Sequence, residues 1–114
     1  MTITTTKTDV HNQFEQAVLK IWHNAHGQDS DTISSTWGEE RIVVMLEGIL
    51  FKAEQMLAES RQGREVLERY VHKLLHDAIE AELHYLSDLL GREILSFGVN
   101  VSLRERLAML IFRF

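Results

Sequence analysis

The chain has no cysteine and no proline, and it carries only six glycines among 114 residues. Without cysteine there is no disulfide, no thiol chemistry and no cysteine-ligated metal. No run of about 18 apolar residues occurs, so nothing reads as a membrane-spanning helix. Basic charge is scarce: 12 Lys and Arg stand against 17 Asp and Glu, a formal net charge of −5. A nucleic-acid backbone wants a basic surface, so nucleic acid is not the expected partner. The first residues lack a charged segment followed by an apolar one, so no secretory leader is expected and the location predicted is cytoplasmic. The phosphate-loop patterns GxxxxGK[ST] and GxGxxG are absent, as is HExxH.

What is present is ordinary for one folded domain: 45% hydrophobic and 25% charged residues, with enough chain for one core. Residues 1–8 are Thr-rich without a helical period and are expected to be a disordered tail; 9–114 are expected to form one domain. The longest element is read over Arg64–Leu90, which has no internal Gly and is closed by Gly91. At 100° per residue, Leu67, Val71, Leu74, Leu75, Ala78, Tyr85, Leu86 and Leu89 share one arc. Glu65, Arg69, Lys73, His76, Asp77, Glu80 and His84 share the other. Unbroken, this helix would be about 40 Å long.

In chain order, Asp9 reads as the cap of a first helix, with Val10, Phe14, Ala17, Val18, Ile21, Trp22 and Ala25 at helical spacing up to Gly27. Ile33–Trp37 alternates as a half-buried strand, and Gly38-Glu39-Glu40 reads as a hairpin turn. Arg41–Glu47 is apolar at nearly every interior position, as a strand buried on both faces would be. A short helix is predicted over Ile49–Ser60, then a break over Ser60–Gly63 before the long helix. After Gly91, Arg92–Val101 and Arg106–Phe114 read as strands joined by a turn of about four residues. The fold expected is α+β in the order α-β-β-α-α-β-β: a four-stranded antiparallel sheet of two hairpins against one long helix. One long helix covers one face of a sheet. The apolar second face is then covered by the first helix or by a second copy of the chain, and a homodimer is the expectation.

Few residues suggest chemistry. His72, His76, Glu80 and His84 follow one another at steps of four. A His pair at i and i+4 can hold zinc when further ligands converge. Each step drifts by about 40°, however, and the series lies on the arc of Arg69 and Lys73, so a solvated polar face is the plainer reading and no metal is assigned. Glu82 projects between Val71 and Leu75 in the apolar arc, where a carboxylate needs a partner such as Arg41 or Arg92, or an interface edge. Arg61 and Arg64 flank the start of the long helix, an end that can attract an anion, although a cap with surface arginines is the plainer reading. Trp22 and Trp37 read as core or sheet-edge aromatics. Ser34, Ser35 and Ser96 lie in strands without a nucleophile elbow. No catalytic residue and no cofactor is assigned, and the chain reads as a non-enzyme.

The run Arg41–Gly63 followed by Arg64 resembles the MpsC-like (YbcI-like) family of small bacterial proteins. The residues that carry the resemblance are Leu46-Glu47-Gly48, Ala53-Glu54-Gln55-Met56-Leu57-Ala58, Gly63-Arg64, Gly91 and the closing Phe112-Arg113-Phe114. Their order and spacing span about residues 10–114. The chain departs from the family in lacking a Gly-Pro before its first strand. It also has Phe51 where Thr is common, and Val71-His72-Lys73 where relatives often carry consecutive arginines. The resemblance implies an accessory protein of a sodium-translocating, membrane-potential-generating or inorganic-carbon transport system, and it brings no catalytic residue with it. The function expected is therefore binding of a protein partner, a membrane transport complex or a soluble assembly, without membrane insertion. Docking by edge-strand addition at 41–47 is the mechanism favoured, with Val43, Met45, Glu82 and Arg64 as candidate partner-binding residues. The alternatives are a small assembly chaperone that binds a partner's tail, and a metal- or anion-binding catalytic module on His72, His76 and Glu80 with Arg64.

Overall fold

The computed structural model describes residues 5–114. Its elements are α1 (Thr5–His26), β1 (Thr32–Trp37), β2 (Arg41–Glu47), α2 (Lys52–Leu57), α3 (Arg61–Ala81), α4 (Leu83–Leu90), β3 (Ser96–Ser102) and β4 (Leu107–Arg113). The four strands form one antiparallel sheet in the order β1-β2-β4-β3. This is the α+β architecture the sequence predicts, with one more helix.

The extra helix comes from a break at Glu82. Glu82 has φ −112° and ψ 11°, caps the end of α3 and starts α4. Neither Pro nor Gly lies at the break. Beyond it α4 runs along α1, with Leu86 buried completely. The helix predicted over Arg64–Leu90 is thus two helices, and the first begins earlier, at Arg61. Ser60 caps it: its Oγ accepts from the Gly63 amide at 2.9 Å, which satisfies one of the free first-turn donors. Gly63 is required in that turn, because a Cβ would collide with the Leu57 carbonyl oxygen.

Other boundaries shift for local reasons. α1 starts at Thr5, so Asp9 lies inside the helix rather than capping it. Residues 1–4 of the expected tail lie outside the described residues, and 5–8 are helical. α2 is only Lys52–Leu57, held at its start by Glu54, whose Oε1 accepts from the Phe51 amide at 2.9 Å. Ile49 and Leu50 precede it as buried loop residues. β3 begins at Ser96, not Arg92, and Leu95 just before it is exposed. Gly91 adopts φ +71°, the left-handed cap expected of it.

Both long helices lie on the same side of the sheet. Alternate residues of β2 and β4 point to that side: Ile42, Val44 and Leu46 with Ala108, Leu110 and Phe112, all buried. Phe14 of α1 meets Phe112 edge-on at 5.2 Å between centroids. From the α3 side, His76 stacks on Phe97 at 4.9 Å, and Phe97 neighbours Phe112 at 6.3 Å. Val71, Leu75 and Ile79 of α3 and Val18 and Trp22 of α1 complete a core between one sheet face and two helices. The first helix therefore does not cover the second sheet face. It packs beside α3 because its apolar stripe, Phe14-Ala17-Val18-Ile21-Trp22, meets that helix and the same sheet face.

Candidate functional site

The other face of the sheet is the chief feature left for function. The residues that alternate with the core set are Arg41, Val43, Met45 and Glu47 on β2, and Leu107, Met109, Ile111 and Arg113 on β4. Cross-strand register places Val43 opposite Ile111 and Met45 opposite Met109. These apolar side chains are half-buried by their neighbours within the sheet, and none of the helices packs on them. β1 flanks them with Thr32, Ser34 and Thr36, and β3 with Ser96, Gly98, Asn100 and Ser102. The face has an apolar centre two strands wide and a polar rim, the anatomy of an interface patch.

Its charges are segregated. Arg41 lies directly opposite Arg113 at one end, and Glu47 opposite Leu107 at the other. Like charges on directly opposed strand positions repel. Among the described residues, none of the three has an ion-pair partner within 4.0 Å.

Val43 and Met45, named from the sequence, thus belong to this face. They do not lie at a sheet edge. β2 sits between β1 and β4, so edge-strand addition at 41–47 is ruled out, since both of its backbone edges are already paired. The free edges are β1 and β3. Neither strand contains a charged residue or a proline, the usual guards of an exposed edge.

Glu82, which the helical period places in the apolar arc without deciding its burial, is exposed. The projection assumed one unbroken helix, and the break falls on Glu82 itself. Arg64 is half-buried, and its Nη1 donates to the Ala58 and Glu59 carbonyls at 3.2 and 3.4 Å. Arg61 does not join it, pairing instead with Glu65 on the exposed helix surface at 3.5 Å. Arg104 and Arg106 of the β3–β4 turn do join it. With Glu59 they are among the residues that line a cavity of about 200 Å³. Arg106 holds φ 60°, and its carbonyl accepts from the Gly48 amide at 3.1 Å.

The histidine series divides at the same break. His72 and His76 lie on α3 with rings parallel and 6.2 Å apart. His84 lies on α4, 3.5 Å from Asp88. The tight donor set is His76, Asp77 and Glu80, whose ligand atoms lie within 4.8 Å of one another. Lys73 already occupies Asp77, with Nζ 3.0 Å from Oδ2, and His76 Nδ1 is 3.3 Å from Oδ1. The Lys73 hydrogen bond first, and that of His76 second, hold the Asp77 carboxyl below its ordinary value of 3.8. Arg64 lies twelve residues earlier on the same helix, about 18 Å away along its axis, so it cannot share a site with His76.

Sequence reasoning missed His26. Its ring is buried between Trp22 (4.5 Å) and Phe51 (4.4 Å), with Nε2 2.8 Å from Glu54 Oε1. Their separation of 28 positions leaves no periodic signal. The Trp22 and His26 Nδ1 ring nitrogens find no hydrogen-bond partner among the described residues. Trp37 is half-buried beneath the stacked ring of His11 at 3.9 Å, and its Nε1 donates to Ser35 Oγ at 2.8 Å; Ser35 Oγ in turn bonds the Glu15 carboxylate. Trp22 thus lies in the core and Trp37 on the edge strand β1, the two placements expected of them.

No helix among the described residues is long and apolar enough to cross a membrane. A family model described as "Na+-translocating membrane potential-generating system (MpsC)" matches residues 6–114. No curated protein and no solved structure matches the chain.

Proposed function

The chain belongs to the MpsC family, and on that premise we propose that it is a non-enzymatic accessory protein of a cation-translocating, potential-generating membrane system. It acts through protein contacts, as a homodimer. The observation that carries this reading is the sheet face without helix cover. A domain of this size rarely leaves the apolar side chains of two central strands, here Val43, Met45, Leu107, Met109 and Ile111, with no layer of the described residues over them unless something docks there. A second copy supplies an identical apolar centre and polar rim. With the two faces closed on each other, β1 and β3 remain as edges for an extended segment of the partner.

A catalytic module is the weaker reading, since His76 and Arg64 lie apart and Lys73 competes for Asp77. An assembly chaperone that holds a partner's tail shares the two uncharged edges, and the identity of the captured partner separates it. The test is recovery of the tagged protein from its own cells with membranes solubilised. The expected result is near-stoichiometric recovery of a cation-translocating membrane subunit. Recovery of a soluble assembly instead would favour the chaperone. Return of the bait alone would remove the accessory reading.

A further inference from the structure

We propose that two copies close their open sheet faces with strands running antiparallel across the interface, β2 over β2 and β4 over β4. Each Arg41 then meets Glu47 of the second copy. The inference rests on the homodimer reading above and goes on to fix the orientation.

The argument is one of charge placement on a two-fold. A dimer of identical faces is isologous, with the axis lying between the two sheets. Two simple choices exist for aligned sheets. If the axis runs along the strands, β2 of one copy keeps its direction and covers β4 of the other, which runs the opposite way. Arg41 then lies over Arg113 twice, and Glu47 over Leu107, because these residues share register positions within the sheet. That arrangement adds Arg–Arg contacts to an Arg41–Arg113 pair already unfavourable within each copy.

If the axis runs across the strands, β2 covers β2 with its direction reversed. The sequence of outward residues Arg41-Val43-Met45-Glu47 is then read against Glu47-Met45-Val43-Arg41. Each end of β2 gains an ion pair, Val43 faces Met45, and on β4 Met109 faces Ile111. The Arg41 guanidinium, which has only another arginine opposite it within its own chain, obtains a carboxylate partner. Glu47, which has no ion-pair partner among the described residues, obtains a cation. Like-charge juxtaposition suppresses the wrong geometry and opposite charges fix the register. The charge pattern of one strand is therefore self-complementary only in the reversed mode.

Charge reversal tests this, with dimer dissociation measured by sedimentation equilibrium and the fold of each variant checked by circular dichroism. In the antiparallel mode, Arg41→Glu alone and Glu47→Arg alone each weaken the dimer by about tenfold or more, and the double variant recovers most of the loss. In the strand-parallel mode, Arg41→Glu would place a glutamate over Arg113 of the second copy and tighten the dimer, and Glu47→Arg would change little. Tightening by Arg41→Glu, or no effect from either reversal in a dimeric protein, overturns the orientation while leaving the dimer intact. A wild-type monomer, or a dimer that survives Met45→Asp unweakened, overturns the underlying reading instead and the orientation with it.

Discussion

The two faces of this sheet come from the same two strands, and they differ by one residue of phase. On β4, Ala108, Leu110 and Phe112 are buried under α1 and α3, while Leu107, Met109 and Ile111 are half-exposed with no described element over them. Both sets are apolar, so hydrophobicity does not tell them apart. The covered set sits under helices that bring matching apolar stripes. The open set is edged by Thr and Ser on β1, by Ser and Asn on β3, and by segregated charge at its ends. On the reading proposed above, the contrast is one of duties: the covered side holds the fold together, and the open side is where a second copy docks.

The sharpest way to break that comparison is to truncate neighbours on one strand. Leu110→Ala opens a cavity beneath two helices and should cost about 2–5 kcal/mol of stability in urea unfolding. Met109→Ala, its neighbour on the open side, should cost under about 1 kcal/mol in the dissociated chain, as half-exposed positions do, while weakening self-association. Equal losses at the two positions would mean that the faces do not differ in role.

The covered side also contains one buried polar contact, and it should show an effect of intermediate size. Glu54 Oε1 joins the start of α2 to the end of α1 by bonding both the Phe51 amide and His26 Nε2. Glu54→Ala removes both bonds and leaves the buried imidazole without its partner, at an expected cost of about 1–3 kcal/mol at neutral pH. No change in dimer dissociation is expected, because Glu54 is remote from the open face. A variant that lost self-association but kept its stability would place Glu54 on the wrong side of the comparison.

Much of this was legible in the sequence where a period could be followed within one element. β2 was read at its observed bounds, and its apolar residues at both phases signalled that two surfaces needed cover. What could not be read was the outcome of competition between elements. α1 and a second copy could both satisfy the open face by pattern, and only the packing of Phe14 against Phe112 shows that α1 lies on the occupied side. The placement of Glu82 failed because a 100° projection was carried through a break that has no Pro or Gly to announce it. Strand order decided the fate of edge addition at 41–47, and order follows from long-range pairing between β2 and β4, whose partners are 60 to 72 residues apart. The Arg64, Arg104 and Arg106 cavity is hidden for the same reason, since its arginines come from the start of α3 and a distant turn.

The smallest expected effect lies on the solvent side of α3 and separates a surface ion pair from a metal site. Asp77 accepts from Lys73 four residues earlier, and this bond is the largest cause of its lowered carboxyl pKa, with His76 second. A carboxyl whose folded pKa lies below its unfolded value adds stability above the unfolded value. That contribution fades as pH falls through the folded one. The window is therefore acidic, below the ordinary 3.8, and nothing should change near neutrality. Carbon-detected NMR titration of the Asp77 carboxyl should give a midpoint under 3.8 that rises in Lys73→Ala. A midpoint at or above that value in the wild type would show the Lys73 contact to be absent in solution, which would leave Asp77 available to ligate together with His76 and Glu80. With the contact in place, a cation must displace an ammonium group 3.0 Å from the same oxygen, and the exposed helix face keeps its ordinary role as a solvated surface.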